Sequence, residues 1–199
     1  MEINAQLVKE LREKTSAGIM DCKEALNVTA GNVDKAIEYL RKKGINAATS
    51  KFSRKTLCGK VDSYIHLYGK IGVLVEVNCE TDFVANTDEF KKFVKDIAMQ
   101  IAALNPKYIT RDEVSSEIVK KEKEIFLAQI ENTKKPPKVI EKIVEGKMEK
   151  YFQENCLLEQ PFIRDNNKKV NELLLETIAK LGENILIKRF SRFSLGEEV

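Results

Sequence analysis

The sequence predicts an α+β fold, in which a small helical bundle precedes a core domain with a small antiparallel sheet covered by helices. Apolar residues recur at helical spacing through residues 1–54. Two short runs, 61–67 and 71–77, then alternate with the period of two that is typical of strands. The rest of the chain returns mainly to helical spacing, and helices on one face of a small antiparallel sheet define the α+β class.

The N-terminal bundle is predicted from three successive helical patterns within residues 1–54. The third pattern has the clearest boundaries, because Asn32 is a favourable N-cap and Gly44, after three basic residues, predicts a left-handed C′ position. Residues 44–60 are predicted to be part helix extension and part linker. The apolar positions of the first two helices are Ile3, Leu7, Val8 and Leu11, then Ile19, Met20, Cys22, Ala25 and Leu26.

The core domain is predicted over residues 55–199. Tyr68-Gly69-Lys70 joins the two alternating runs and is short enough for an antiparallel hairpin. Thr87 is predicted to cap the first of four long helices. These helices are predicted over 87–105, over 115–131, from Pro136-Pro137 onward, and over 168–181. A final strand over 185–193 is predicted to join the hairpin.

The composition favours a protein that binds another protein. The chain has 34 Lys and Arg against 31 Asp and Glu, for a net charge of +3. Both signs are interspersed along the predicted helices, whereas nucleic-acid binders usually gather their basic residues into a patch. No apolar run approaches the ~20 residues of a membrane-spanning helix, and the N-terminus has no signal-peptide pattern. We therefore expect a cytoplasmic protein with no nucleic-acid or membrane partner.

Catalytic and metal chemistry find little support in the residues. His66 is the only histidine and lies within a predicted strand, which limits any Cys-His or Ser-His mechanism. No GxxxxGK[ST] loop is present, so the chain is not itself a GTPase. The cysteines are expected to be reduced and buried, because Cys22, Cys58, Cys79 and Cys156 lack the spacing of zinc sites. We expect no enzyme, no cofactor and no metal site, while an intermolecular disulfide stays open.

The most informative segment is Cys79-Glu80-Thr81-Asp82-Phe83-Val84, which follows the second predicted strand and precedes the helix that starts near Thr87. Side chains at such a corner commonly point outward. In the alternative interpretation, Asp82 caps the following helix and Phe83 packs in the core. Two features oppose it, because Thr87 already supplies a cap and Phe83 lies outside the apolar stripe of that helix.

This segment resembles the signature of the bacterial elongation factor Ts family, which are guanine-nucleotide exchange factors for elongation factor Tu. The resemblance extends over nearly the whole chain and retains the order of the family's segments. The residues that carry it lie in 7–15, 18–26, 72–85, 141–148 and 157–162. The chain has one core segment, so it is similar to the short form of the family.

The resemblance implies a ubiquitin-associated-like helical domain followed by the α+β core, and it implies the partner, elongation factor Tu. Arg12, Ile19 and Met20 match the residues that dock the N-terminal domain on that partner. Thr81, Asp82, Phe83 and Val84, here called the 81–84 loop, match the residues that enter the partner and displace the magnesium that helps to hold GDP. The magnesium belongs to the partner, and the resemblance implies no cofactor for this chain.

Two departures from the family pattern are visible. Ser16 stands where the family usually has glycine, and Gln100 stands where histidine is common. Long family members carry two related core segments, so we expect that a homodimer could supply the missing half. The main alternative function is a non-catalytic adaptor that binds another protein client through its helical module. A hydrolase that uses Cys22 or Cys79 with His66 is a more distant alternative.

Overall fold

The N-terminal part of the computed structural model is a bundle of three helices, as the sequence predicts. The structure describes residues 4–15, 17–130 and 136–197. Ser16 and Ile3, both named above, lie outside the described residues. The bundle consists of α1 (Ala5–Thr15), α2 (Ile19–Val28) and α3 (Val33–Thr49). Its core is a cluster of buried side chains contributed by all three helices, namely Leu11, Cys22, Ala25, Leu26, Ala36 and Leu40.

The start of α3 confirms one boundary signal and its end corrects another. The Asn32 side chain accepts a hydrogen bond from the Lys35 amide at 3.0 Å, as expected of an N-cap. The prediction of a left-handed C′ position at Gly44 is wrong, because α3 continues through Gly44 to Thr49. Gly44 instead allows close packing, since a Cβ there would lie 3.2 Å from the Cβ of Ala179.

The core has the predicted hairpin and final strand. Strands β1 (Cys58–His66), β2 (Ile71–Cys79) and β5 (Ile185–Ser194) form a small antiparallel sheet in the order β1-β2-β5. A 3₁₀ turn over Leu67–Gly69 closes the hairpin, with left-handed φ of 49° at Leu67 and 55° at Tyr68. Alternate residues of β2 are buried, as expected of a sheet with one covered face: Val73, Val75, Val77 and Cys79.

The four long core helices lie close to their predicted positions, and the single turn α4 that precedes them was not predicted. The core helices are α4 (Asp82–Ala85), α5 (Asp88–Leu104), α6 (Ser116–Ile130), α7 (Pro137–Asn155) and α8 (Val170–Leu181). Thr87 caps α5 as predicted, because its Oγ1 accepts a hydrogen bond from the Phe90 amide at 3.2 Å. The predicted end of the second core helix, Glu131, lies outside the described residues. None of the described helices has the length and apolar character needed to cross a membrane.

A two-stranded antiparallel ribbon between α7 and α8 was not predicted. It pairs β3 (Pro161–Phe162) with β4 (Asp165–Lys169), so Lys168 and Lys169 belong to a strand rather than to the last helix. The buried Gln100 side chain holds this ribbon. Its Nε2 donates to Gln160 Oε1 at 3.0 Å and to the Pro161 carbonyl at 3.1 Å, and its Oε1 accepts from the Ile163 amide at 2.9 Å.

The chain divides into two compact units. The first joins Met1–Lys60 to Val77–Phe93 and Leu174–Leu186, and the second comprises Val61–Glu76, Val94–Leu173 and Ile187–Val199. The first unit contains the bundle, α4 and the turn that follows α8. The division of the chain into domains at residues 54 and 55, and the ubiquitin-associated-like character of the bundle, remain predictions.

Candidate partner-binding site

The 81–84 loop is a single helical turn rather than an irregular corner. β2 ends at Cys79, and Thr81 adopts an extended conformation with φ of −128° before the turn α4 begins at Asp82. Thr81 is the N-cap of this turn, because its Oγ1 accepts a hydrogen bond from the Val84 amide at 3.4 Å. The turn ends at Asn86, whose amide and side chain both donate to the Asp82 carbonyl.

One face of this turn is anchored and the other is open to solvent. Ala85 is buried, whereas Phe83 is 82% exposed and Asp82 is also exposed. The alternative in which Phe83 packs in the core is therefore wrong. The alternative in which Asp82 caps the next helix is wrong too, because Thr87 provides that cap. A large aromatic side chain exposed on an anchored turn is available to a protein partner, because a few large side chains commonly supply most of the energy of a protein interface.

The loop is tied to the turn between α8 and β5 by a carboxylate that the sequence reasoning missed. Glu183 Oε2 accepts hydrogen bonds from the Glu80 and Thr81 amides at 3.1 and 3.0 Å, and its Oε1 accepts from Thr81 Oγ1 at 2.6 Å. Glu183 is 102 residues from Thr81 in sequence. The only local signal was Gly182, which marks the end of α8 but does not indicate a contact with the loop.

Cys79 supports the same segment from the end of β2. Its Sγ donates a hydrogen bond to the Thr81 carbonyl at 3.1 Å. Burial, followed by the negative charge of Glu183, raises the pKa of the Cys79 thiol to about 11. The thiol therefore stays protonated near neutral pH and acts as a hydrogen-bond donor. Because a cysteine nucleophile must be a thiolate, this protonation does not favour a nucleophilic role.

The histidine has a local structural partner. His66 Nδ1 is 2.9 Å from the Tyr64 hydroxyl, and the two rings stack with centroids 5.7 Å apart. Among the residues that the structure describes, neither a cysteine nor a carboxylate is hydrogen-bonded to His66, as the Cys-His hydrolase alternative would require. Among residues 4–15, 17–130 and 136–197, no group of three or more His, Cys, Asp or Glu side chains could hold a metal ion.

The three predicted docking residues also lie on exposed positions. Arg12 lies on α1, and Ile19 and Met20 form the first turn of α2. Ile19 is 56% exposed and Met20 is 76% exposed, so these two side chains turn away from the core to which Cys22 and Leu26 contribute. The docking residues and the 81–84 loop thus occupy separate elements of the first compact unit, each with large apolar groups in water.

Comparison with known proteins decides the family. The family model described as Elongation factor TS matches residues 2–197. The chain belongs to the elongation factor Ts family. This family membership makes the chain a translation elongation factor that takes part in protein biosynthesis.

Relatives that carry the name elongation factor Ts match over almost their whole length. The protein of Thermoanaerobacter pseudethanolicus is 61% identical over 197 residues, which are 99% of this chain and 97% of the relative. That of Caldanaerobacter subterraneus is 60% identical, with 99% and 98% of the two chains covered. That of Anaeromyxobacter sp. is 58% identical over 98% of this chain and 90% of its own. The similarity to these relatives therefore extends over nearly all of this chain.

Proposed function

We propose that this protein is a guanine-nucleotide exchange factor that binds elongation factor Tu and accelerates the release of GDP. Family membership supports this function, and the exposed Phe83 on an anchored helical turn is the observation that carries it. The protein acts by binding, with no covalent step and no cofactor of its own. The cytoplasmic location predicted from the sequence fits this role.

The proposed mechanism uses two contacts on the partner. Arg12, Ile19 and Met20 dock the N-terminal bundle, and the 81–84 loop enters the nucleotide-binding domain. Asp82 and Phe83 would displace the magnesium that helps to hold GDP. Because Mg²⁺ demands near-ideal octahedral geometry, a small shift of its ligands or waters weakens its binding. By reciprocity, rebinding of nucleotide weakens the hold of the exchange factor, so the factor is released for another cycle.

Magnitudes indicate that both contacts are needed. Burial of one Phe side chain contributes roughly 1.5–3 kcal/mol. Each ~1.4 kcal/mol changes an equilibrium about tenfold. Phe83 alone could therefore loosen the nucleotide by about one to two decades. Any larger effect must come from the docking residues and from the rest of the interface.

The test is release of labelled GDP from elongation factor Tu in the presence of this protein, its Phe83→Ala variant, its Asp82→Ala variant, or buffer. We expect the wild type to accelerate release and both variants to lose most of that acceleration. Acceleration that survives both substitutions would place the mechanism in the N-terminal bundle. An absence of acceleration, with binding to a different client, would favour the non-catalytic adaptor.

We also propose that the open face of the sheet in the second compact unit binds a second copy of the chain. Ile65 and Gly72 share this face, because a Cβ on Gly72 would lie 3.3 Å from Ile65 Cδ1. Arg189 contacts Glu76 there at 2.7 Å. Exposed apolar side chains line the face on all three strands: Val61, Ile65, Leu74 and Phe193. A two-fold dimer would pack two such faces together as a sandwich and remove both from water.

A further inference from the structure

We propose that Glu183 is a positioning residue for nucleotide exchange, which holds the 81–84 loop in the conformation that the partner binds. This inference rests on the proposed exchange function and adds a residue outside the loop. Glu183 does not contact the partner in this proposal. It acts through the backbone of Glu80 and Thr81, to which its carboxylate is hydrogen-bonded.

Both carboxylate oxygens of Glu183 accept hydrogen bonds from the segment that begins the 81–84 loop. One oxygen accepts from two successive backbone amides and the other accepts from the Thr81 hydroxyl at 2.6 Å. Hydrogen bonds to a charged acceptor are stronger than those between neutral groups. The Thr81 hydroxyl donates to Glu183 and accepts from the Val84 amide. The N-cap of α4 is thereby oriented by Glu183.

A reciprocal contact fixes Glu183 itself. The Glu80 side chain accepts a hydrogen bond from the Asn184 amide at 2.6 Å, so each of the two segments supplies a carboxylate to the other's backbone. The Asn184 side chain donates to the carbonyls of Phe52 and Arg54 at 3.3 and 2.9 Å. The turn that carries Glu183 is thus held on both sides.

The loop needs such an anchor because α4 is only four residues long. One helical turn forms few internal hydrogen bonds and is not stable by itself in water. The outward side of the turn offers no packing to compensate, because Phe83 and Asp82 are exposed. A loop that is already ordered loses less conformational entropy on binding than a mobile one, so the anchor favours productive insertion.

The first test is Glu183→Gln, which retains the size of the side chain but removes the charge and replaces one acceptor oxygen with a donor NH₂. We expect the maximal rate of GDP release to fall about tenfold. The concentration of exchange factor needed for half of that rate should change much less, because the docking residues are intact. Hydrogen exchange of the Glu80 and Thr81 amides should become faster. Glu117→Gln, the same chemical change at an exposed position of α6, is the matched control.

A double-mutant cycle separates positioning from a general structural role. If Glu183 acts through the loop, Glu183→Gln should add little further loss in a Phe83→Ala background. The inference would be overturned if Glu183→Gln lowered the maximal rate by the same factor in the wild type and in Phe83→Ala. It would also be overturned if Glu183→Gln alone left the maximal rate unchanged. If Glu183→Gln does not fold, Glu183→Asp, which keeps the charge but shortens the side chain by one methylene group, is read in the same cycle.

The outcomes also separate this inference from the function on which it rests. No acceleration of GDP release by the wild type would remove the exchange function and the positioning role together. Acceleration that Phe83→Ala abolishes and Glu183→Gln leaves intact would retain the function and overturn only the role of Glu183.

Discussion

At the scale of single residues, Phe83 and Phe90 are only seven positions apart, yet one is exposed and the other is buried in the core. Phe83 is 82% exposed on α4, whereas Phe90 on α5 is fully buried. Both are aromatic residues near the same strand end, and composition does not distinguish them. The two residues are distinguished by their positions relative to α5, which Thr87 caps. Phe90 lies on the apolar stripe of α5, whereas Phe83 precedes the helix.

Phe83→Ala should leave the stability of the folded protein nearly unchanged. An exposed side chain contributes little to the core, so we expect a change within about 0.5 kcal/mol in the free energy of unfolding. Phe90→Ala, the matched control, should cost about 3–5 kcal/mol because it leaves a cavity. Urea denaturation of both variants checks this. A large loss of stability in Phe83→Ala would contradict the exposed placement of that ring.

Cys156 should make folding stability depend on alkaline pH. Burial raises the pKa of its thiol to about 11, above the ordinary value near 9. Below pH 9 the thiol is protonated in both states and its contribution is fully present. Between about pH 9 and 11 the unfolded state loses the proton first, so this contribution is lost as the pH rises. The wild type should therefore lose more stability over this range than Cys156→Ala, as measured by urea denaturation at each pH. Equal losses in the two proteins would contradict the shift.

At the scale of elements, α3 shows why a correct local signal led to a wrong helix end. Basic residues followed by Gly44 match the usual end of a helix, and Asn32 at the other end was confirmed by the same type of reasoning. The helix continues to Thr49, and Gly44 lies where α3 approaches α8, so that an added Cβ would be 3.2 Å from the Cβ of Ala179. The sequence contains the glycine, but only the position of α8 explains it.

Glycine-to-alanine substitutions in two helices should separate helix propensity from packing. Gly146 lies within α7, and a methyl group added there would meet no atom within 4 Å, so Gly146→Ala should stabilise the protein by about 0.5–1 kcal/mol. Gly44→Ala should lack this gain, because the new methyl group meets the Cβ of Ala179. In an Ala179→Gly background, Gly44→Ala should be more favourable than in the wild type. Equal gains at both glycines would contradict the close contact between α3 and α8.

The ribbon β3-β4 depends on one buried amide. Gln100→Leu would remove the partners of the Ile163 amide, Gln160 Oε1 and the Pro161 carbonyl. Each buried polar group left unpaired costs about 1–3 kcal/mol, so we expect a loss of at least about 2 kcal/mol in urea denaturation. A variant as stable as the wild type would indicate that water replaces the amide. Gln100 thus fulfils a structural role in this chain.

At the scale of the whole molecule, the open face of the sheet predicts the oligomeric state. We expect a dimer at micromolar concentration, measured by light scattering. Ile65→Lys should shift the mass toward the monomer, because a charge would be buried within the apolar face. Lys60→Ala, a change on the same strand that leaves the apolar face intact, should not. A monomeric mass for the wild type would remove the dimer proposal while the exchange function stands.

The sequence by itself determined the α+β class, the order of the main elements and the family. The class and the order of elements follow from hydrophobic periodicity and caps, which act over a few residues and can be read along the chain, whereas the family follows from the resemblance of several sequence segments. It also indicated Phe83 and Asp82 as exposed candidates, because the next helix already had its cap.

Only the tertiary structure decided what holds those candidates in place. The anchor of the 81–84 loop is Glu183, and its partner lies 102 residues away along the chain. The close approach of Gly44 to Ala179 and the ribbon held by Gln100 likewise depend on residues that meet only after folding. These contacts arise from close packing and from the pairing of buried polar groups. No local pattern encodes them, because the two residues of each contact have no fixed spacing in the sequence.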